Sequence, residues 1–295
     1  MVCGGWSSER SVSLLTGQNV YKSLKQNKYN VHLFDLKKNN INKILSFKPN
    51  ILFNALHGEF GEDGGLTCFA EKNKISITHS NQVSSSLCLD KTITKIFLKK
   101  HLNINIPKTY KKFDNINYPV IVKPNTGGSS NGVLIVNNKK QFSEIIKDNN
   151  IVEQKIPIYK ELTVTVIEDK KSVRALGVTD IKFNSDIYDF KAKYTKGFSQ
   201  HVLPALIPKK EYNHLLKLSE KIFKLTGCKS IARIDFIMEK RSKTNKYFFL
   251  EINTHPGLTH ISLAPEQALY NKMSYFSLIK LILDKADDFE NIKNI

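Results

Sequence analysis

The sequence predicts a mixed fold, with an α/β unit containing a parallel sheet at the N-terminal end and α+β segments after it. Short apolar runs alternate with amphipathic stretches in the first third of the chain, which is the βαβ pattern of a parallel sheet. In the last third, two consecutive runs alternate between apolar and polar residues, as antiparallel strands do. The length of 295 residues suits two or three lobes around real cores.

The elements of the first third follow from these patterns. Residues 31–35 and 51–55 predict buried strands, and residues 11–24 and 41–47 have helical periodicity. Residues 1–4 precede a Gly-Gly turn and are too few for a full strand. We therefore expect the chain to begin inside its first strand, most of which is missing.

The other two thirds contain both element types. Helices are predicted over residues 90–101, 141–147 and 209–226. Strands are predicted over residues 120–123, 133–137, 151–153, 162–167, 173–179, 231–238 and 247–252. The first helix is predicted from the apolar positions Ile93, Ile96, Phe97 and Leu102. A polar loop with aromatic residues spans 183–204.

Composition excludes several classes of protein. Hydrophobic residues make up 41% of the chain, too many for a disordered polycation, and no apolar run reaches the ~18–20 residues of a membrane span. The N-terminus lacks the pattern of a secretory signal. The four cysteines have neither CxxC spacing nor a tight framework, so we expect reduced thiols in a cytoplasmic protein.

The net charge of +18 raises the question of a nucleic-acid partner. The lysines are dispersed among asparagine and isoleucine, with no concentrated basic arm and no zinc-finger spacing. This pattern favours a solvated surface, and we expect neither a nucleic-acid nor a membrane partner.

Polar side chains alternate along two strand-like runs, IARIDFIM and YFFLEIN. Arg233 and Asp235 share one strand face, as do Glu251 and Asn253, so pairing of the strands would bring all four together. Two carboxylates and an amide oxygen suit Mg²⁺. The alternative is a solvated polar face. Either way, the opposite face is expected to hold Ile234, Phe236, Leu250 and Ile252.

A glycine- and serine-rich loop follows the strand that ends at Lys123, in VKPNTGGSSNGV. Glycines let backbone N–H groups turn toward an anion, and Ser129 and Ser130 add hydroxyl donors. A lysine at the end of an apolar strand needs a partner, and phosphate is a natural one. The alternative is a flexible hairpin loop.

Two segments near the N-terminus are further candidates. His57 lies just beyond an apolar strand in FNALHGEFGEDGG, where α/β sheets place ligands, although a structural role is equally compatible with that position. In GGWSSERSVS, serines precede a helical run, and Glu9 lies at its start, where it serves either a ligand or the helix dipole.

Together and in this order, these segments resemble the D-alanine–D-alanine ligase family of the ATP-grasp superfamily. The resemblance covers essentially the whole chain. It is carried by GGWSSERSVSLLTG, HGEFGEDGG, SSSLCLDKTITK, VKPNTGGSSNGV, IVEQKIPIYKELTV, YDFKAKYT, ARIDF, LEINTHPGLT and HISLAPEQA. It implies a three-lobed ATP-grasp fold: an N-terminal substrate-binding domain (1–80), a central lobe (81–158), and a C-terminal lobe (159–295) with a lid loop at 183–204.

The resemblance also implies a reaction, in which ATP and two D-alanines give D-alanyl-D-alanine, ADP and phosphate for peptidoglycan synthesis. The γ-phosphoryl group moves to the carboxylate of the first D-alanine, and the amine of the second attacks the D-alanyl phosphate. Two Mg²⁺ ions, with Mn²⁺ as a substitute, neutralise charge. A homodimer is implied as well.

The family's residue roles carry over by position. ATP would be bound by Lys91, Lys123, Gly128, Ser130, Glu153, Gln154, Ile156, Glu161 and Lys193, and the metal ions by Asp235, Glu251 and Asn253. Glu9, Ser129, Tyr194, Arg233 and Gly257 would be catalytic, with Arg233 and the Gly257 N–H facing the oxyanion and Glu9 linked to Ser129 and Tyr194. The D-alanines would also meet His57, Ser262 and Leu263.

Two alternatives remain at this stage. One is another ATP-grasp carboxylate–amine ligase or a D-alanine–D-lactate ligase. The other belongs to a different class, a basic nucleic-acid-binding protein or an inactive nucleotide-binding scaffold.

Overall fold

The fold is built on three groups of strands. The structure is a computed structural model, and it describes residues 1–111, 115–169, 172–183, 198–240 and 245–286. None of the helices in these ranges combines the length and apolar character that crossing a membrane requires.

The N-terminal segment forms the predicted parallel sheet. Strand β1 (Val2–Gly4) pairs in parallel with β2 (Phe34–Leu36), and β3 (Ile51–Leu52) with β4 (Ser76–Ile77). A bridge between Val2 and Asn54 joins the two pairs. The helical elements are α1 (Arg10–Gln26), a 3₁₀ helix (Ile41–Phe47) and α2 (Gly65–Lys72). Here β2 begins three residues later than the predicted strand, because Leu33 is turned toward solvent.

A four-stranded antiparallel sheet forms the central group. Its strands are β5 (Thr109–Tyr110), β6 (Val120–Pro124), β7 (Leu134–Val136) and β8 (Asn150–Gln154), in the order β5-β8-β6-β7. Helices α3 (Gln82–Leu89) and α4 (Lys91–His101) precede it, and α5 (Lys139–Ile145) lies between β7 and β8. The side chains of Asn81 and Asp90 cap α3 and α4 by accepting backbone N–H bonds.

The C-terminal group is a five-stranded antiparallel sheet in the order β11-β10-β9-β12-β13. Its strands are β9 (Lys160–Glu168), β10 (Val173–Phe183), β11 (Ser199–Val202), β12 (Ile231–Glu239) and β13 (Lys246–Asn253). The helices are α6 (Lys209–Leu225), α7 (Leu263–Tyr270) and α8 (Tyr275–Asp284). Leu215, Ile222 and Phe223 of α6 pack into the core beneath one face, which leaves the other face for function.

Hydrophobic cores join segments that are far apart in sequence. Cys88 and Leu98, on α3 and α4, pack in the same core as the C-terminal sheet. Leu24 of α1 shares a core with Leu278 and Ile282 of α8. The lobes are therefore held together by burial as well as by the chain.

Three sequence-based placements need correction. Residues 183–204 were predicted to be a loop, but Ser199–Val202 forms strand β11, because it pairs with the end of β10. Helix α4 is present, but a different face of it is buried. Ile93 and Ile96 face solvent, whereas Lys95 and Leu98 face the core. Lys95 can be buried because its ammonium pairs with the Glu153 carboxylate. Leu250 does not lie on the buried face of β13: a bulge in the pairing of β12 with β13 turns it into a cleft, and Phe249 takes the core position.

Gly17 marks the closest approach of α1 to the sheet. A Cβ atom at this position would lie 2.5 Å from the Cβ of Cys3, well inside van der Waals contact. Both residues are fully buried or nearly so, which leaves no room for the helix to move outward without losing core contacts.

We expect Gly17→Ala to lower the free energy of unfolding by about 1–3 kcal/mol, because overpacking outweighs the better helix propensity of alanine. Urea denaturation measures this difference. The control is Gln18→Ala at the exposed next position, expected to change stability by less than about 0.5 kcal/mol. A Gly17→Ala protein as stable as the control would contradict the tight packing.

Candidate active site

An open cleft of about 970 Å³ lies between the central and C-terminal sheets. Apolar side chains, including Ile156, Ile237 and Leu250, form part of its wall, and charged groups gather at one end. The cleft brings together ten of the predicted site residues: Lys91, Lys123, Gly128, Ser130, Glu153, Gln154, Ile156, Glu161, Asp235 and Glu251. An apolar pocket with a cationic end has the character of a nucleotide site.

The predicted convergence of polar groups on β12 and β13 is confirmed by their register. Asp235 lies directly opposite Glu251, and Arg233 opposite Asn253. The Asp235 carboxylate accepts hydrogen bonds from the Thr163 hydroxyl at 2.6 Å and from the Arg233 guanidinium at 2.8 Å. The carboxylates thus stand in one row on the face toward the cleft.

This donor set fits a hard divalent cation. In the part of the chain that the structure describes, no group of three or more His, Cys, Asp or Glu side chains is arranged for a metal. Asp235, Glu251 and Asn253 offer oxygen atoms only, fewer than six, as suits an ion that keeps water and phosphate oxygens. The Asn253 Oδ1 accepts a hydrogen bond from the His255 N–H at 2.7 Å, which orients the amide.

The glycine- and serine-rich loop covers the charged end of the cleft in an unusual backbone conformation. Gly127 has φ of 121°, while Ser129 and Ser130 have φ of 52° and 56°, in the left-handed region that costs a non-glycine residue about 1 kcal/mol. The Lys91 ammonium donates to the Gly127 carbonyl at 2.6 Å and lies 3.4 Å from Glu251. Side-chain contacts therefore hold the loop open and curved.

The same loop contacts the N-terminal lobe. The Ser129 hydroxyl donates to Glu9, as predicted, and the Asn131 amide donates to the Ser8 hydroxyl at 3.0 Å. Glu9 is the N-cap residue of α1, but its side chain makes no cap bond and is buried against the loop. A Cβ at Gly128 would lie 3.2 Å from Glu9 Oε2, so the loop backbone approaches this carboxylate closely.

A buried group of three charges lies beneath the nucleotide cleft. Glu153 is paired with both Lys95 and, at 2.9 Å, Lys123. Burial disfavours the charged form of Lys123, but the carboxylates of Glu153 and Glu251 outweigh it and raise its pKa. Burial, together with the nearby Lys123, lowers the pKa of Lys95 to about 7. Burial opposes ionisation of Glu153, yet the two lysines lower its pKa.

Lys95 was missed from the sequence. Its spacing of four from Lys91 places both lysines on one helix face, and that spacing was the available signal. The Glu153 side chain, expected to line an adenine pocket, is committed to these two ion pairs. Its position on β8 still lines the cleft.

His57 lies close to Glu9 on the N-terminal side. Its Nε2 is 3.0 Å from the Thr16 hydroxyl, and its Nδ1 is 3.5 Å from Glu62. A Cβ at Gly58 would lie 3.2 Å from Glu9 Oε2. The predicted neighbourhood of His57 and Glu9 is therefore observed, and Glu62 is an additional carboxylate there.

A smaller cavity of about 610 Å³ adjoins Arg233 and Asp235 and contains the other predicted substrate residues. Gly257, Ser262 and Leu263 line it. The Ser262 hydroxyl accepts from the Thr259 N–H at 3.1 Å, and a Cβ at Gly257 would lie only 2.9 Å from that hydroxyl. The loop before α7 therefore brings Gly257 close to the Ser262 side chain.

His79 and His255 form a buried pair that the sequence did not indicate. His255 Nε2 accepts a hydrogen bond from the Asn54 amide at 3.0 Å, and its ring stacks on His79 with centroids 4.6 Å apart. Burial lowers the pKa of His79 to about 3 and that of His255 well below its ordinary value. The pair joins the N-terminal lobe to the loop that carries Gly257. Lys193 and Tyr194, with most of the 183–204 loop, lie outside the described residues.

Comparison with known proteins places the chain among its relatives. The family model described as D-ala D-ala ligase C-terminus matches residues 92–284. A D-alanine–D-alanine ligase of Rickettsia canadensis is 39% identical over 302 residues, covering 99% of this chain and 83% of the relative. One from Rickettsia typhi is 40% identical over 298 residues, covering 97% and 91%.

Solved structures agree with this placement. The D-alanine–D-alanine ligase of Bacillus anthracis complexed with ATP matches with a TM-score of 0.78 at 26% identity, covering 96% of this chain and 94% of that one. The VanG D-Ala:D-Ser ligase of Enterococcus faecalis, at 24% identity and a TM-score of 0.78 over 96% and 97% of the chains, shares the fold.

The three-lobed fold, with a deep cleft between two antiparallel sheets, is that of an ATP-grasp enzyme. Within this class, the relatives that are 39–40% identical over nearly the full chain are D-alanine–D-alanine ligases. The chain belongs to the D-alanine–D-alanine ligase family.

The lowered pKa of Lys95 predicts a pH-dependent stability. Below pH 7 the folded protein carries the full penalty of a buried ammonium, whereas above pH 7 it releases a proton that the unfolded chain keeps up to about pH 10. The unfolding free energy of the wild type relative to Lys95→Met should therefore rise by about 1 kcal/mol per pH unit between pH 7.5 and 9.

Urea denaturation of both proteins across this range provides the measurement. Lys99→Met, on the exposed side of the same helix, is the control and should show no such slope. A wild-type advantage that is constant from pH 7.5 to 9 would contradict the assignment.

Proposed function

We propose that the chain joins two D-alanines in an ATP-dependent reaction through a D-alanyl phosphate, with the residues described above in specific roles. One observation carries the assignment of roles: the loop over the charged end of the cleft is bonded through Ser129 to Glu9, while the Asp235–Glu251 row faces the same end. The end of the nucleotide site that would bind the phosphates thus contacts the N-terminal lobe. Transfer of a phosphoryl group to an amino acid bound in that lobe requires this contact.

The nucleotide is bound in the cleft between the sheets. Its base packs against Ile156 and meets the backbone and amide of Gln154, and Glu161 binds the ribose. Lys91, Lys123 and the loop from Gly128 to Ser130 bind the phosphates, and Glu153 holds Lys123 in its charged form. Ammonium groups and loop donors stabilise the charge that spreads over the transferred phosphoryl group.

Asp235, Glu251 and Asn253 are the residues that would hold Mg²⁺. When bound, the ions supply neutralisation of phosphate charge and alignment of the phosphoryl group. Asp235 makes an ion pair with Arg233, and Glu251 makes one with Lys91, and these contacts orient both carboxylates toward the cleft.

The first D-alanine lies between the loop and the N-terminal lobe. Glu9 accepts hydrogen bonds from its ammonium, His57 closes the pocket, and the Glu9–Ser129 bond aligns the substrate with the phosphate loop. The main contribution of these residues is to hold the carboxylate oxygen of D-alanine in line with the γ-phosphate. This alignment is needed because a carboxylate and a phosphate group do not react with each other when both are free in water.

The second D-alanine enters the cavity near Arg233. Ser262 and Leu263, at the N-terminus of α7, bind its carboxylate, where helix N–H groups and the dipole favour an anion. Its amine attacks the acyl phosphate, and the guanidinium of Arg233 and the N–H of Gly257 stabilise the oxyanion of the tetrahedral intermediate.

Other parts of the proposal rest on the family resemblance alone. These are the roles of Lys193 and Tyr194 in a lid formed by residues 183–204, the domain boundaries at 80 and 158, the homodimer, and the cytoplasmic location.

The function is tested by phosphate release from the full-length protein. We expect release that requires ATP, Mg²⁺ and D-alanine together and that is absent when L-alanine replaces D-alanine, with D-alanyl-D-alanine detected by mass spectrometry. A folded protein that turns over ATP without forming the dipeptide, or binds duplex DNA instead, would refute the proposal.

The metal assignment predicts the effect of two substitutions. Asp235→Ala and Glu251→Ala should each lower kcat by at least about 100-fold while the circular dichroism spectrum stays unchanged, because each removes an oxygen ligand. Glu239→Ala, at the far end of β12, is the control and should leave kcat within twofold. Near-normal turnover in both site variants would exclude this metal site.

A further inference from the structure

A histidine–glutamate pair lies at the edge of the cavity proposed for the second D-alanine. His201 Nδ1 is 2.9 Å from a carboxylate oxygen of Glu266. His201 belongs to the edge strand β11, and Glu266 to the first turn of α7. The side chains are about four-fifths and two-thirds buried, respectively, so the contact is only partly screened by water.

The sheet register points the imidazole into the cavity. His201 pairs with Ile181, which pairs with Glu161, so the three side chains stand in one row on the same face. All three line the cavity, together with Arg233 and Ser262. Glu266 does not line it, and its carboxylate meets the cavity through the imidazole of His201.

Helix α7 cannot move Glu266 away from this place. The side chain of the next residue, Gln267, is fully buried: it accepts from the Thr165 N–H at 2.8 Å and donates to the Thr163 carbonyl and the Thr179 hydroxyl. This anchor fixes the first turn of α7 on the sheet. The Glu266 carboxylate is thereby held one turn from the N–H groups that would receive the substrate carboxylate.

This arrangement creates an electrostatic conflict. A helix N-terminus attracts an anion through its free N–H groups and dipole, and a glutamate in the first turn competes for the same positive potential. A second carboxylate brought to that end is repelled by the negative charge of Glu266. A hydrogen-bond donor on Glu266 reduces that repulsion.

We propose that His201 is a positioning residue for the second substrate: by donating its Nδ1–H to Glu266, it screens that carboxylate and lets the N-terminus of α7 bind the carboxylate of the incoming D-amino acid. The inference rests on the proposed function and deepens it. The first D-alanine binds elsewhere, and among the described residues proposed to bind ATP only Glu161 also lines this cavity.

The test is steady-state kinetics of the full-length protein, with phosphate release measured against D-alanine concentration to resolve separate constants for the first and second substrate. In His201→Ala we expect KM for the second D-alanine to rise about fivefold or more. The value of kcat and the KM values for ATP and the first D-alanine should stay within twofold.

Second variants separate charge from packing. Removing the charge as well, in His201→Ala/Glu266→Gln, should return KM for the second D-alanine to within twofold of the wild-type value, and His201→Gln, which keeps a donor, should do the same. Lys285→Ala is the matched control: it deprives Glu168 of a partner 3.0 Å away in the same lobe, outside the cavity, and should change no constant.

Each outcome decides between the alternatives. If the wild type forms no dipeptide, the proposed function fails before this inference is reached. If the wild type is active and KM for the second D-alanine is unchanged in His201→Ala, or stays high in the double variant, the screening role is wrong. Thermal denaturation of each variant verifies folding. If His201→Ala does not fold, Glu266→Gln and His201→Gln decide the question. A raised KM for the second D-alanine in either of these variants overturns the inference.

Discussion

The pairing of β12 with β13 is the constraint on which the rest of the site depends. Its register places Asp235 opposite Glu251 and Arg233 opposite Asn253, and a shift of one residue would turn every one of these groups into the core. The hydrophobic side chains beneath, such as Phe236 and Phe249, hold that register because they are fully buried in the core on the opposite face. The chemistry of the cleft is therefore secured by packing on the opposite side of the same strands.

Around this row the protein gathers cations rather than further carboxylates. Lys91, Lys123 and Arg233 each lie within ion-pair distance of an acidic side chain of the site. Lys95 is the costly member, since its burial exceeds what one shared carboxylate compensates. These cationic side chains suit a site that binds a polyanion, because phosphate oxygens would neutralise the positive charge that the acidic side chains leave uncompensated.

Much of the fold could be predicted from the sequence, because its signals are local. The alternation of ARIDF and LEIN places the acidic row without any knowledge of tertiary structure, and the βαβ pattern predicts the parallel sheet. What could not be predicted depends on contacts across the chain. Leu250 was assigned to the core because a bulge leaves no mark in alternation, and Asn54 meets His255 across 201 positions. The order of motifs, rather than any one of them, was what indicated the family.

The core shared by the two ends of the chain has a consequence for how the protein is made. Leu24 of α1 is buried against Leu278 and Ile282 of α8, yet some 250 residues separate them. At ribosomal rates of about 5–20 residues per second, α1 waits roughly 10–50 s before its partner emerges. Throughout that interval, the first lobe presents an uncovered apolar surface to the cell. The core around α1 is thus completed only when α8, the last helix among the described residues, has been made.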